Sequence, residues 1–326
     1  MVNYLIKILL LGLLSTGFCS AETLLIKNAK IHTLGAQGTL SYGSILIDKG
    51  KILTIGIDIP ETDARTIIDA NGKVITPGLM NVKTALGLVE ISAIKPTVDS
   101  ASNDIGYSAS FSIAPVINPN STLFAHNRIN GLTRAMVVPS SDQSLFSGSG
   151  SLIKLAHDMQ PVIIADNAAY LTYGAAAAEI AGGSRALALM QIKETFKDLI
   201  LYIKAPENFK EKPQEAKALK KRDLQALVPM FKAEVPLVVS VHSANDILTM
   251  IALKEKYSLK MILSGAEEAW MVADKIAAAK VAVIIDPYSN LPSSFESIAN
   301  RIDSATILHK AGVELMFSNG SSHNAY

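Results

Sequence analysis

The sequence predicts an α/β protein built as a (β/α)₈ barrel of the TIM type, with an incomplete N-terminal β-sandwich layer. Three observations predict it. Short alternating strands with Gly-containing turns fill residues 23–75, eight apolar runs follow from Val74 onward, and amphipathic helices separate the later runs.

The early strands come first along the chain. "TLLIKNAKIHTL" alternates apolar and polar residues, and "SILIDKGKILTIG" places two such runs around Lys49-Gly50. "TIIDANGKVITPG" repeats the arrangement around Asn71-Gly72, where glycine supplies the positive φ that a hairpin requires. These strands form a small β layer spanning residues 22–75, and the barrel is expected over 76–326.

The eight runs are Val74–Leu79, Arg134–Val138, Pro161–Ala165, Leu199–Ile203, Pro236–Val241, Leu259–Leu263, Val281–Ile285 and Val313–Phe317. Several are β-branched and nearly continuous, as parallel strands buried on both faces should be. "ANDILTMIALKEKY" and "EEAWMVADKIAAAK" repeat apolar residues at three- and four-residue spacing and predict helices. Two places stay open. Ile192, Phe196, Leu199, Ile200 and Ile203 share a helical face, so Leu199–Ile203 reads equally as a helix end. "SGSGSLIKLAHDMQPVIIA" also fits a hairpin plus strand.

Composition narrows the classes of function. The chain has 326 residues, 49% apolar and 18% charged, with a net charge of +1. That suits a packed globular protein and offers no basic surface for nucleic acid. The basic stretch Lys210–Arg222 is flanked by Glu207 and Asp223 and reads as a solvated helix opening near Pro213. Lys7 followed by the apolar run Ile8–Phe18 and then Cys19-Ser20-Ala21 has the form of a signal peptide over residues 1–21. The run is shorter than the ~20 residues a membrane span needs, so no stable membrane insertion is expected. Cleavage would leave a periplasmic or secreted chain and remove the single cysteine, excluding thiolate metal sites and cysteine nucleophiles. Neither a G-x-S-x-G elbow nor a phosphate-cradling loop is present.

The early strands, "VITPGLMNVKTALG", "VPLVVSVHSANDI", "GAEEAWMVADKIAAAKVAVII" and "FSNGSSHNAY" together resemble the amidohydrolase superfamily, in particular exported members related to imidazolonepropionase. The resemblance runs from about Thr23 to Tyr326. It implies a metal-binding barrel that hydrolyses non-peptide C–N bonds of a small-molecule substrate, with zinc or iron lowering the pKa of a bound water.

The same resemblance exposes the departures. Residues i and i+2 of a strand share a face roughly 6.5–7 Å apart, where two imidazoles converge on one ion. Lys83 and Ala85 stand at those two positions. A protonated lysine repels a cation, and alanine has no ligand atom. His242, at the end of the Val235–Val241 strand, matches a family metal ligand. Gly265 stands where the next histidine is expected, with Glu267 and Glu268 just beyond. Asn319 and Gly320 stand at or beside the position of the final aspartate. Glu268 and His323 are the catalytic candidates that remain, and Glu90 and Asn324 the substrate-facing ones. Lys204 follows an apolar run where some relatives carry a carboxylated, metal-bridging lysine, although the helical periodicity there opposes that role.

The chain ends nine residues after the last run, without the closing helix and the strands that would complete the sandwich. A second copy covering the open flank, or a shortened chain, is the corresponding expectation. The functional expectation is an amidohydrolase-like protein, degenerate or shortened and with little activity, holding no catalytic metal in the usual way. The competing one is a periplasmic binding or scaffold protein for a small molecule. A third keeps catalysis in a rearranged site of His242, Glu267 or Glu268, and Glu90.

Overall fold

The computed structural model describes residues 23–101, 106–211, 219–289, 291–292, 294–321 and 323–326. The signal-peptide expectation and residues 212–218 of the basic stretch lie outside them. The chain divides into two compact units between Pro77 and Gly78. Among the described residues no helix is long and apolar enough to cross a membrane.

The first unit is a five-stranded sheet of β1 (Leu24–His32), β2 (Thr39–Asp48), β3 (Lys51–Gly56), β4 (Thr66–Asp69) and β5 (Val74–Ile75). β2 and β3 form the expected antiparallel hairpin, with Lys49 and Gly50 both at positive φ. Asn71-Gly72 behaves differently. β4 and β5 do not pair with each other but run parallel to successive halves of β1. The reason lies in β1, which bulges at Asn28 (φ 58°) and steps the partner strand sideways. The Asn28 carbonyl accepts the Gly72 N–H at 2.7 Å, so the turn fastens to the bulge instead of closing a hairpin. Ala29, Ile31, Ile45 and Ala70 form this unit's small core.

The second unit carries an eight-stranded sheet in chain sequence: β6 (Leu79–Thr84), β7 (Leu132–Val137), β8 (Phe146–Lys154), β9 (Val162–Thr172), β10 (Leu237–Val241), β11 (Met261–Gly265), β12 (Ala282–Ile285) and β13 (Leu315–Phe317). Its helices are α1 (Thr122–Ile129), α2 (Ala175–Ala181), α3 (Arg185–Lys204), α4 (Lys221–Phe231), α5 (Ala244–Tyr257), α6 (Ala273–Ala278) and α7 (Ser304–Lys310). Ser318, just past β13, returns to β6, with its Oγ 2.7 Å from the Lys83 carbonyl oxygen and 2.9 Å from Asn81 Oδ1. The sheet is thus a nearly closed barrel.

One expectation needs correcting, and the two places left open resolve to a helix end and a hairpin. The run Val74–Leu79 is not one strand: Pro77, with no N–H to donate, separates β5 of the first unit from β6 of the barrel. Leu199–Ile203 is the end of helix α3, whose Ile192, Phe196 and Leu199 are fully buried on one face. The eighth strand is β8 instead, and it runs antiparallel to both β7 and β9. Glycines and serines in "FSGSGSLIK" let this reversed strand sit inside the barrel wall; a Cβ on Gly150 would fall 2.7 Å from the Tyr170 ring.

Two apolar layers hold the barrel. Its interior is a cluster to which every strand contributes: Val82, Met136, Leu152, Tyr170, Val238, Ile262, Ile284 and Met316. Outside, α2 to α7 bury Phe196, Leu227, Met250, Ile276 and Leu308 against the later strands. Burial pushes the Tyr170 phenol well up, which keeps it neutral in the interior.

Candidate functional site

Side chains at the C-terminal ends of the strands face the barrel mouth, where barrel chemistry is found. Val238 and Ile262 belong to the interior cluster, so by the two-residue strand period Ser240 and His242, and Ser264, continue the inward face toward the mouth.

Lys83 occupies the mouth from β6. Its backbone is held on both sides: its N–H donates to Asn81 Oδ1 at 2.9 Å, and its carbonyl lies 2.7 Å from Ser318 Oγ. Nζ reaches across to Ser264 Oγ at 3.1 Å. Burial lowers the Lys83 pKa, with the Glu267 charge opposing it.

His242 and Glu267 form the second part of the cluster. After β11 the chain turns sharply through Gly265 (φ 86°) and Ala266 (φ 54°). Ala266 N–H then donates to the Val241 carbonyl at 2.8 Å, and Glu268 N–H to the His242 carbonyl at 3.1 Å. These bonds lay Glu267 alongside His242, with Nδ1 2.5 Å from Oε2. The hydrogen bond to Glu267 raises the His242 pKa above burial's opposing effect, and the charges of Glu267 and Glu296 add to it. Burial alone would raise the Glu267 carboxyl, but the His242 bond and the charges of His242 and Lys83 hold it below its usual range. The outcome is a hydrogen bond that favours the charged forms of both partners, beside a desolvated amine.

Gly265 explains how the imidazole fits. A Cβ there would sit 2.7 Å from His242 Cε1 and 2.8 Å from Nδ1. The position expected to carry a histidine therefore provides the space that His242 fills.

The other candidate residues make contacts of their own. Glu268 Oε2 accepts the Ala244 N–H at 2.9 Å, placing a carboxylate at the N-terminus of α5. Glu90 accepts from Asn118 Nδ2 at 3.1 Å and from Ser121 Oγ at 3.0 Å, and Ser121 caps α1. His323 is exposed. Asn324 is tied into the last loop, where its carbonyl accepts from Asn319 Nδ2 at 2.5 Å and its N–H donates to Ser321 Oγ at 3.1 Å. Asn319 also accepts the Ser321 N–H at 3.0 Å, so its amide organises the loop. Lys204 is the last residue of α3.

These residues do not fit a catalytic metal. Among the described residues no three His, Cys, Asp or Glu side chains gather closely enough to hold an ion. The expected ligand positions hold the Lys83 amine, Ala85, Gly265 and, at or beside the last, Asn319 and Gly320, and the imidazole and carboxylate present are spent on each other.

A second charged network adjoins the cluster, and the sequence offered no signal for it beyond isolated charges. Arg185 at the start of α3 donates to Asp246 Oδ2 at 3.0 Å and to Glu296 Oε1 at 2.8 Å. Glu296 Oε1 also accepts the Ala175 N–H at 2.9 Å. Ser264 was likewise passed over, because a serine at a strand end announces nothing until its partner is known. Farther off, a hollow of about 690 Å³ is lined in part by Ser108, Phe146, Glu179, Gln191 and Asp223. None of the Lys83, His242 and Glu267 side chains borders it.

No protein-family model matches the chain. In sequence it is similar to a dihydroorotase of Halalkalibacterium halodurans, 44% identical over 62 residues that make up 19% of this chain and 14% of that protein. It is similar also to a 5′-deoxyadenosine deaminase of Methanosarcina mazei, 42% identical over 62 residues with the same two shares. The chain thus spans 14% of the length of these curated relatives in the matched stretch. Among solved structures, an amidohydrolase from Thermotoga maritima MSB8 superposes with a TM-score of 0.80 over 93% of this chain and 79% of that one, at 21% identity. At that identity the likeness establishes an amidohydrolase-type fold.

Proposed function

We propose that this chain is an amidohydrolase-like protein, related to hydrolases of non-peptide C–N bonds, whose barrel mouth binds a small polar molecule without a catalytic metal. The observation that carries the reading is the Lys83 amine, 3.1 Å from Ser264 Oγ and within the field of Glu267, where a cation would otherwise stand. In its protonated form a fixed amine in that place repels a metal and attracts an electron-rich ligand group. Lys83, Ser264, His242 and Glu267 together offer donors and acceptors of both kinds in a half-buried setting, as small-molecule sites do.

The test is metal analysis of the purified protein together with thermal denaturation in the presence of small amides, ureas and carboxylates. The reading expects no stoichiometric zinc or iron, and stabilisation by at least one of these compounds without turnover. An ion bound one to one with the chain overturns it.

The His242–Glu267 bond favours a second reading. A carboxylate holding Nδ1 orients the imidazole and, in the neutral ring, leaves Nε2 to take a proton from water, so hydrolysis could proceed without a metal. Turnover that resists chelators and disappears in His242→Ala would select it. The setting proposed for either is the periplasm or the exterior, supported by the apolar run Ile8–Phe18 and the small residues after it.

A further inference from the structure

We infer that Lys83 is a nucleophilic amine placed to capture a small aldehyde or ketone as an imine, with His242 and Glu267 handling the protons. The inference rests on the metal-free reading of the mouth and names its ligand class.

Three features of the mouth support it. Lys83 is held at its backbone by Asn81 and Ser318, so its side chain starts from a fixed point and ends on Ser264 Oγ. Among the described residues Nζ has no carboxylate within ion-pair distance, which leaves the amine short of the partner that would lock it as an ammonium. A desolvated lysine of this kind exposes its lone pair and is the usual imine-forming nucleophile. Burial indeed shifts Lys83 toward the neutral form.

The third feature is the adjoining acid–base pair. His242 and Glu267 are both near enough to Lys83 for their charges to bear on one another. His242 remains 34% exposed and Glu267 18% exposed, so an incoming molecule reaches this pair.

The chemistry balances with these groups alone. The Lys83 lone pair forms a C–N bond to the carbonyl carbon while the C=O π pair moves to oxygen, which takes a proton from the imidazolium of His242. The attacking nitrogen returns a proton to the imidazole. The carbinolamine then loses its hydroxyl as water, again protonated by His242, the nitrogen lone pair closes the protonated imine, and its N–H proton returns to the imidazole. Amine and carbonyl go to imine and water, with no oxidant or reductant.

Purified full chain, already measured for bound metal, is mixed with propanal or pyruvate and sodium cyanoborohydride, and the labelled lysines are mapped by mass spectrometry. Lys83 is expected to be alkylated about tenfold faster than the exposed lysines, because a desolvated amine with no carboxylate partner presents more of its free form. Lys83→Met and Lys83→Arg should both lose that fast adduct, the arginine variant keeping the charge. His242→Ala should keep the adduct but form it about tenfold more slowly. Metal-free protein in which Lys83 reacts no faster than the surface lysines overturns the amine assignment alone. Stoichiometric metal in the starting sample overturns the reading beneath it.

Discussion

Gly265 shows how a missing side chain can define a site. Its φ of 86° suits glycine, and the space above it is taken by the His242 ring. Gly265→Ala should therefore cost about 2 kcal/mol, through backbone strain and a displaced imidazole. Chemical denaturation measures the loss, and the His242 titration followed by NMR should fall toward the ordinary histidine range. The His242–Glu267 bond carries a pH signature. The His242 pKa is raised in the folded chain, so its contribution is full below the unfolded value and fades as pH climbs through the folded one. The Glu267 pKa is lowered, so its contribution holds above the unfolded value and fades as pH falls through the folded one. Wild type should exceed Glu267→Gln in stability by about 0.5–1 kcal/mol, after solvent screening, only between those limits. A difference that stayed constant from acid to alkaline pH would show that the pair is not charged as described. His242 and Glu267 were each legible in the sequence as polar residues beyond strand ends. Their contact was not, because it depends on two successive positive-φ residues that bring the end of β11 back onto β10.

Helices α4 and α5 are anchored by buried carboxylates that a periodicity reading cannot see. Asp223, 2% exposed, accepts from Ser110 N–H at 2.9 Å, Ser110 Oγ at 2.6 Å and Ser108 N–H at 3.2 Å, joining the first turn of α4 to the loop after β6. Asp223→Ala leaves these donors buried and unmatched, and should cost about 2–4 kcal/mol by thermal or urea denaturation. Asp246 and Glu296 converge on Arg185 in the same way, tying α3 to the N-terminus of α5. Arg185→Leu strands two nearly buried carboxylates, and a loss of about 3 kcal/mol by urea denaturation is expected. α5 itself was plain in "ANDILTMIALKEKY", whose apolar spacing and Ser243 cap agree. "EEAWMVADKIAAAK" was less plain. Its first turn is the 3₁₀ segment Ala269–Val272, and only Ala273–Ala278 is α-helical. At its start Glu268 gives its side chain to the neighbouring helix α5 and makes no cap bond of its own. Likewise Leu199–Ile203 is apolar enough for a strand, and only burial of Ile192, Phe196 and Leu199 along one face decides for helix.

The barrel unit as a unit makes the sharpest case about metals, because a metalloprotein links ion binding to its own stability. A site of useful affinity stabilises the folded chain by RT ln(1 + [L]/Kd), about 2.7 kcal/mol at a hundredfold excess over Kd. For a barrel of this size that is a shift of several degrees in melting temperature. Here the mouth presents Lys83, Ser264 and Asn319, of which none is a strong ligand for zinc or iron, and the Asn319 amide is already engaged with Ser321 and Asn324. The imidazole of His242 would first have to leave Glu267. Melting in excess zinc and melting in excess chelator should then coincide within about a degree. Scattered surface ligands such as His323 do not alter this, since they bind folded and unfolded chains alike. A zinc-dependent rise of several degrees that vanished in His242→Ala would mean the cluster opens to accept an ion. In that event the Lys83–Ser264 contact is a resting arrangement, and the amine must swing out of the mouth whenever the metal enters.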